Sequence, residues 1–129
     1  MTWVLGDKEV AAVFALGTAQ RYEYFVKKVV DEESLWSLWQ DGWVLAADAS
    51  GRQLIPVWPH QKYAELCANG EWSGSAAKEI DLDAWMKRWL PGMAKDSRLV
   101  AVFPAPSDKG AVVDPNRLTT DLERELEKY

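Results

Sequence analysis

The chain has one cysteine and one histidine in 129 residues, and each scarcity closes off chemistry. A lone Cys67 makes no internal disulfide, which fits a reducing compartment and a cytoplasmic protein. One His and one Cys leave any metal site to carboxylates, and no spacing of Asp and Glu matches a ligand set. Positive charge is also short: 15 basic residues stand against 20 acidic ones, for a net charge of −5. Binding to a phosphate backbone or an anionic membrane needs the opposite balance, so neither nucleic acid nor membrane is an expected partner. The basic doublets Lys27-Lys28 and Lys87-Arg88 read as the wet faces of helices. No apolar run approaches the ~20 residues of a spanning helix. The run that opens at Val10 follows Asp7, Lys8 and Glu9, and reads as a helix rather than a signal segment. The glycines build no phosphate loop, since Gly70 through Gly74 lacks both the Walker lysine and the dinucleotide spacing. Repeats, low-complexity tracts and polar linkers are missing too.

What the chain does have is tryptophan, eight of them. Indoles are large and amphipathic, and such a set builds a core, a binding face, or both. With 48% hydrophobic and 27% charged residues, the composition is that of a folded domain. We read residues 1–129 as one domain, with 1–17 set apart as a candidate N-terminal extension.

Periodicity places the elements. Asp7 to Leu16 reads as a helix with Val10, Val13 and Phe14 on one side, Gly17 as its stop and Thr18 as the next N-cap. The second helix runs to about Val30, with Tyr22, Phe25, Val26 and Val29 as its apolar stripe and its lysines in water. Leu35 to Gln40, an Asp41-Gly42 turn and Trp43 to Ala47 read as a hairpin, and Leu54 to Trp58 as a third strand. Together they predict an antiparallel meander, with Pro56 at an edge or bulge. A short helix opened by Pro59 and His60 carries Tyr63, Leu66 and Cys67, and ends at Asn69-Gly70. Ala77 to Ile80 is a short strand. Asp81 or Asp83 caps a helix bearing Leu82, Trp85, Met86, Trp89 and Leu90, which Pro91-Gly92 should end. Leu99 to Phe103 reads as a buried strand and Ala111 to Val113 as a final one. Asp114 caps a last helix with Pro115 near its start, burying Leu118, Leu122, Leu126 and Tyr129. The expected fold is mixed α+β, a small antiparallel-rich sheet covered by several helices.

Several of these segments carry a family resemblance. Tyr22-Glu23-Tyr24-Phe25 with Lys27-Lys28-Val29, then Leu38 and Asp41-Gly42-Trp43, resembles the start of the DUF2750 family of uncharacterised bacterial proteins. So do the block Leu54 to His60, Tyr63-Ala64 and Gly70-Glu71-Trp72. Leu90-Pro91-Gly92, Val102-Phe103-Pro104 and Val112-Val113-Asp114-Pro115 with Leu118 complete the match from about Tyr22 to Leu126. That resemblance brings no catalytic residues with it. A more distant similarity to SseB-like and small immunity-protein domains implies protein binding rather than catalysis, a fold-level analogy only.

The residues themselves lean the same way, and none is assigned a catalytic, cofactor or metal role. His60 and Cys67, seven positions apart on one helix, would have Cα atoms ~10 Å apart at 1.5 Å per residue, too far for a thiolate–imidazole pair. We read His60 as a capping or surface residue and Cys67 as apolar filling. Asp81, Asp83, Asp48 and Asp114 read as cap and turn residues. Trp36 and Leu38 share one face of their strand, Leu35 and Trp39 the other, so that strand is covered twice or exposes an aromatic row. Trp43 pairs across the turn with Trp39, and Trp85 and Trp89 pack on the sheet. Trp3 lies in an N-terminal segment given no element. The functional expectation is a non-enzymatic adaptor or immunity-like domain. Its aromatic face is built from Trp39, Trp43, Trp58 and Trp72 beside His60, and is rimmed by acidic residues suited to a basic partner. Self-association would use the same face. The competing reading is a small-molecule sensor or small enzyme with a polar pocket near His60.

Overall fold

The computed structural model describes residues 4–129, so Trp3 lies outside the described residues. Helix α1 (Asp7–Phe14) starts with Asp7 and Glu9, whose charge favours a helix N-terminus. Its Val10 and Val13 are buried in the same core as Phe25 and Val29. Helix α2 (Thr18–Glu32) buries the whole predicted stripe of Tyr22, Phe25, Val26 and Val29. Gly17 rather than Thr18 stands at its N-cap, and it ends where Glu33 turns left-handed at φ 58°.

The expected meander is corrected. Strand β1 (Ser34–Trp39) pairs antiparallel with β4 (Ala76–Asp81) in a separate two-stranded sheet. The Asp41-Gly42 turn does form, with Gln40 N–H donating to Gly42 O at 2.9 Å and Val44 N–H to Leu38 O at 3.0 Å. Only a Trp39–Trp43 bridge extends it. The chain then departs to β2 (Ala46–Ala47), which pairs with β3 (Gln53–Val57). β3 runs parallel to β5 (Leu99–Val102), which pairs antiparallel with β6 (Ala111–Val113), giving the order β2-β3-β5-β6. A strand that is apolar on both faces fits either partner, so alternation alone leaves the choice open.

Pro56 sits inside β3 because its missing N–H falls on the side away from β5. Trp58, two residues on, exchanges both backbone bonds with Trp36 at 2.8 Å on that side, and Ser37 Oγ donates to the Pro56 carbonyl at 2.6 Å. The two sheets are joined there without a proline N–H.

Side-chain caps fix three helix starts. His60 opens α3 (Gln61–Leu66), Asp81 opens α4 (Leu82–Ala84), and Asp114 opens α6 (Pro115–Leu126). The expected stop at Pro91-Gly92 is also corrected: α4 continues through a π-helical turn, Trp85–Trp89, into α5 (Leu90–Lys95). Leu90 N–H reaches back five residues to Trp85 O, and this wider turn makes room for the Pro91 ring. α6 buries Leu118 and Leu122 completely, but Leu126 and Tyr129 lie past its packed stretch and stay 39% and 73% exposed. Leu66 is likewise exposed rather than packed beside Tyr63. The architecture is mixed α+β, with Ile55, Val57, Val100, Val102 and Val113 turning one sheet face into the helical core.

One buried charge ties the fold together. Arg21 is 2% exposed. Its Nη1 donates to Leu16 O at 2.7 Å and Phe14 O at 3.4 Å, which satisfies carbonyls at the end of α1. Its Nε donates to Phe103 O at 3.2 Å, and its Nη2 pairs with Asp108. One side chain thereby fastens α1 and the loop after β5 to α2.

Candidate functional site

Four indoles from three chain segments form one row. Trp85, from the π-turn, is fully buried, and its ring lies 5.5 Å from Trp89, one turn along the same helix. Trp89 meets Trp43 edge-on at 4.9 Å, and Trp43 meets Trp39 edge-on at 5.1 Å. Edge-to-face contacts of this kind add about 0.5–1.5 kcal/mol each beyond area burial. The row runs outward, from Trp85 in the core through half-buried Trp89 and Trp43 to Trp39, 37% exposed. Lys78 of β4 sits over its outer end, with Nζ 3.9 Å from the Trp39 ring centre and 5.3 Å from that of Trp43. This is cation–π geometry. The predicted pairing of Trp43 with Trp39 is present.

Beside the row lies an open groove of about 450 Å³, lined by Trp43, Trp89, Leu45, Met93, Arg88 and Arg98. Leu45 is 40% exposed, so the groove has an apolar wall open to solvent. Arg98 is held by Gln53 at 2.8 Å and lies 4.0 Å from Asp96. Lys78, Arg88 and Arg98 against Asp96 make the region cationic, in a protein whose net charge is −5. The lining of the groove itself carries Arg88 from the π-turn and Arg98 from the segment after α5, against Asp96 alone.

The other predicted face residues lie elsewhere. Trp58 is fully buried, its Nε1 donates to Pro104 O at 2.9 Å, and its ring packs edge-on against Trp72 at 5.9 Å. Trp58 is therefore core, and Trp72 belongs with it rather than with Trp39 and Trp43. The reason is the Trp36–Trp58 backbone bridge, which pulls Trp58 between the two sheets. His60 Nδ1 accepts the Lys62 N–H at 3.0 Å and caps α3, as its position suggested. Cys67 is buried with Sγ donating to Pro104 O at 3.4 Å, and burial pushes its thiol up to about 11, so it is a poor nucleophile at neutral pH.

Trp89 packs against the core as its spacing predicts, and it also links Trp85 to Trp43 in the row. Sequence reasoning missed one participant. Arg21 stands four residues before Phe25 and eight before Val29, on the buried stripe of α2, and that spacing was the available signal. Among the described residues no group of three or more His, Cys, Asp or Glu is placed to hold a metal, and no helix is long and apolar enough to cross a membrane.

The family model described as "Protein of unknown function (DUF2750)" matches residues 22–122. These residues include every member of the indole row. No curated protein and no solved structure matches the chain.

Proposed function

The chain belongs to the DUF2750 family, and we propose that it is a protein-binding domain whose dock is the indole groove. Its occupant in this reading is an acidic segment of a partner protein carrying a large apolar or aromatic side chain. The observation that carries the proposal is the coincidence of half-exposed indoles with a local excess of cations. Trp39, Trp43 and Trp89 offer a rigid anchor surface fixed by mutual edge contacts and by the buried Trp85. Rigid aromatics lose little entropy on binding and dominate hot spots, where one truncation costs 2 kcal/mol or more, about 30-fold in affinity. Lys78, Arg88 and Arg98 supply the complementarity that selects an acidic segment and steers its approach.

The role is that of a non-enzymatic cytoplasmic adaptor, and an immunity-like blocking function is one form of it. Affinity capture from native extract checks it, with the intact chain run beside Trp43→Ala and Arg88→Glu. The expected partner is retained by the intact chain at low salt, lost by both variants, and released as salt rises. A partner held equally by all three proteins would place the dock elsewhere.

A further inference from the structure

Backbone register fixes which way each residue of the β1–β4 pair faces. Trp36 exchanges both backbone bonds with Trp58, and the Leu38 carbonyl receives the Val44 N–H, so Trp36 and Leu38 point away from β4. Successive residues of an antiparallel strand turn their N–H and C=O groups to opposite sides. Leu35, Ser37 and Trp39 therefore bond to β4, through Ile80, Lys78 and Ala76. Ala77 and Glu79 are left with their N–H and C=O groups on the outer side. No strand of the described residues pairs there, and no hydrogen bond takes up those groups. Ala76, Lys78, Glu79 and Asp81 are exposed along this edge.

Native proteins protect such an edge by shortening it, bulging it, placing proline in it or pointing a lysine across it. The edge strands of the other sheet are short, β2 with two residues and β6 with three. β4 has six residues in unbroken register with β1, without a bulge or a proline. Its lysine is turned inward: Lys78 leans back towards β1, with Nζ 3.9 Å from the Trp39 ring centre. Charge then decides the occupant. The antiparallel registers that pair most of β4 with a second copy set Lys78 or Glu79 opposite itself, and like charges directly opposite are destabilising. Glu79 and Asp81 stand two positions apart on one face of the strand, and Asp81 caps α4 with Oδ2 alone. An occupant with basic side chains at alternate positions meets both carboxylates. Main-chain bonds give an added strand its affinity, and alternate side chains its specificity.

We infer that the outer edge of β4 is a strand-addition site for an extended basic segment of a partner protein, bonded to the main chain of Ala77 and Glu79 with basic side chains opposite Glu79 and Asp81. The site is separate from the indole groove and does not rest on that reading. Titration of the intact protein with a synthetic peptide alternating threonine and lysine tests it, followed through backbone amide signals and their hydrogen exchange. A threonine–glutamate peptide and a threonine–lysine peptide N-methylated at each lysine are the controls. The expected result is a saturable shift at Ala77 and Glu79, whose amides exchange quickly in the free protein and at least tenfold more slowly in the complex. Both control peptides should bind at least tenfold more weakly. Ala77→Pro removes an outward N–H and no bond to β1, and should weaken binding at least tenfold. Should that variant not fold, Glu79→Lys, at an exposed position, serves instead and should invert the preference between the lysine and glutamate peptides. Equal binding of those two peptides overturns the basic occupant, and equal binding of the N-methylated peptide overturns strand addition. Protection of Ala77 and Glu79 that grows with protein concentration alone assigns the edge to a second copy and overturns the partner. Shifts confined to Trp39, Trp43 and Trp89, or no saturable shift, overturn the site.

Discussion

Replacing Arg21 with methionine keeps most of the buried volume and removes every hydrogen bond the guanidinium makes. The carbonyls of Leu16 and Phe103 then lose their Arg21 donors in the interior. Asp108 loses its cation but is 39% exposed, so water recovers part of its solvation. Breaking a fully buried pair costs about 3–5 kcal/mol, and the exposure of Asp108 puts this case near the lower end, about 3 kcal/mol. Unfolding entropy of about 2.1 cal/mol/K per residue gives roughly 0.27 kcal/mol/K for a chain of this length, so Tm should fall by about 11 °C. Urea unfolding measures the free energy and calorimetry the Tm. Asp108→Asn should cost less, and the double mutant should show coupling of about 1 kcal/mol or more. Buried ion pairs are sometimes replaced by apolar groups with a gain in stability. A loss under about 1 kcal/mol, or a gain, would refute the view that Arg21 fastens α1 and the loop after β5.

Other perturbations have equally definite outcomes. Gly110→Ala places a Cβ 2.4 Å from the Val102 carbonyl at φ 75°, and should destabilise by about 1–3 kcal/mol in urea unfolding. Cys67 should react slowly with iodoacetamide through pH 9 in the native protein and quickly once unfolded. Its raised folded value, about 11 from 9.0, contributes stability below pH ~9 that is lost as pH rises through about 11. Asp48 behaves with the opposite sign. The Arg52 backbone N–H, with further bonds from Ser50 and the Arg52 side chain, holds its carboxylate down at about 2. Its contribution is present above pH ~4 and lost as pH falls through about 2, so the Ser50 and Arg52 amides should titrate with a midpoint near 2 by NMR.

Local chemistry was legible in the sequence wherever one residue decides one local geometry. Asp114 before Pro115, and Asp81 and His60 before their helices, announced helix starts, and the Asp41-Gly42 turn announced a chain reversal. Partner choice was not legible. Leu35, Trp36, Leu38 and Trp39 make β1 apolar on both faces, so its pairing with β4 rests on long-range packing that alternation does not encode. Pro91 read as a stop because proline breaks regular helix, and the π-turn that accommodates it depends on seating Trp85 in the core. The same gap divided the tryptophans wrongly. Trp39 and Trp43 were tied by an adjacent turn and could be paired in advance. Trp58 left its expected place on the face because a bridge to Trp36 draws it into the core. Arg21 sits at helical spacing from Phe25 and Val29, but its acceptors at Phe103 and Asp108 lie more than 80 residues along the chain, beyond the reach of local pattern.

The docking claim meets its most direct test in a titration of the intact protein with a synthetic peptide of glutamates flanking one phenylalanine, followed through the indole N–H signals. The account predicts saturable shifts at Trp39, Trp43 and Trp89, weakened at least tenfold by Arg88→Glu or by raised salt and lost in Trp43→Ala, with the Trp58 signal unmoved. Equal binding of the lysine version of the peptide, or no shift along the row, would contradict it.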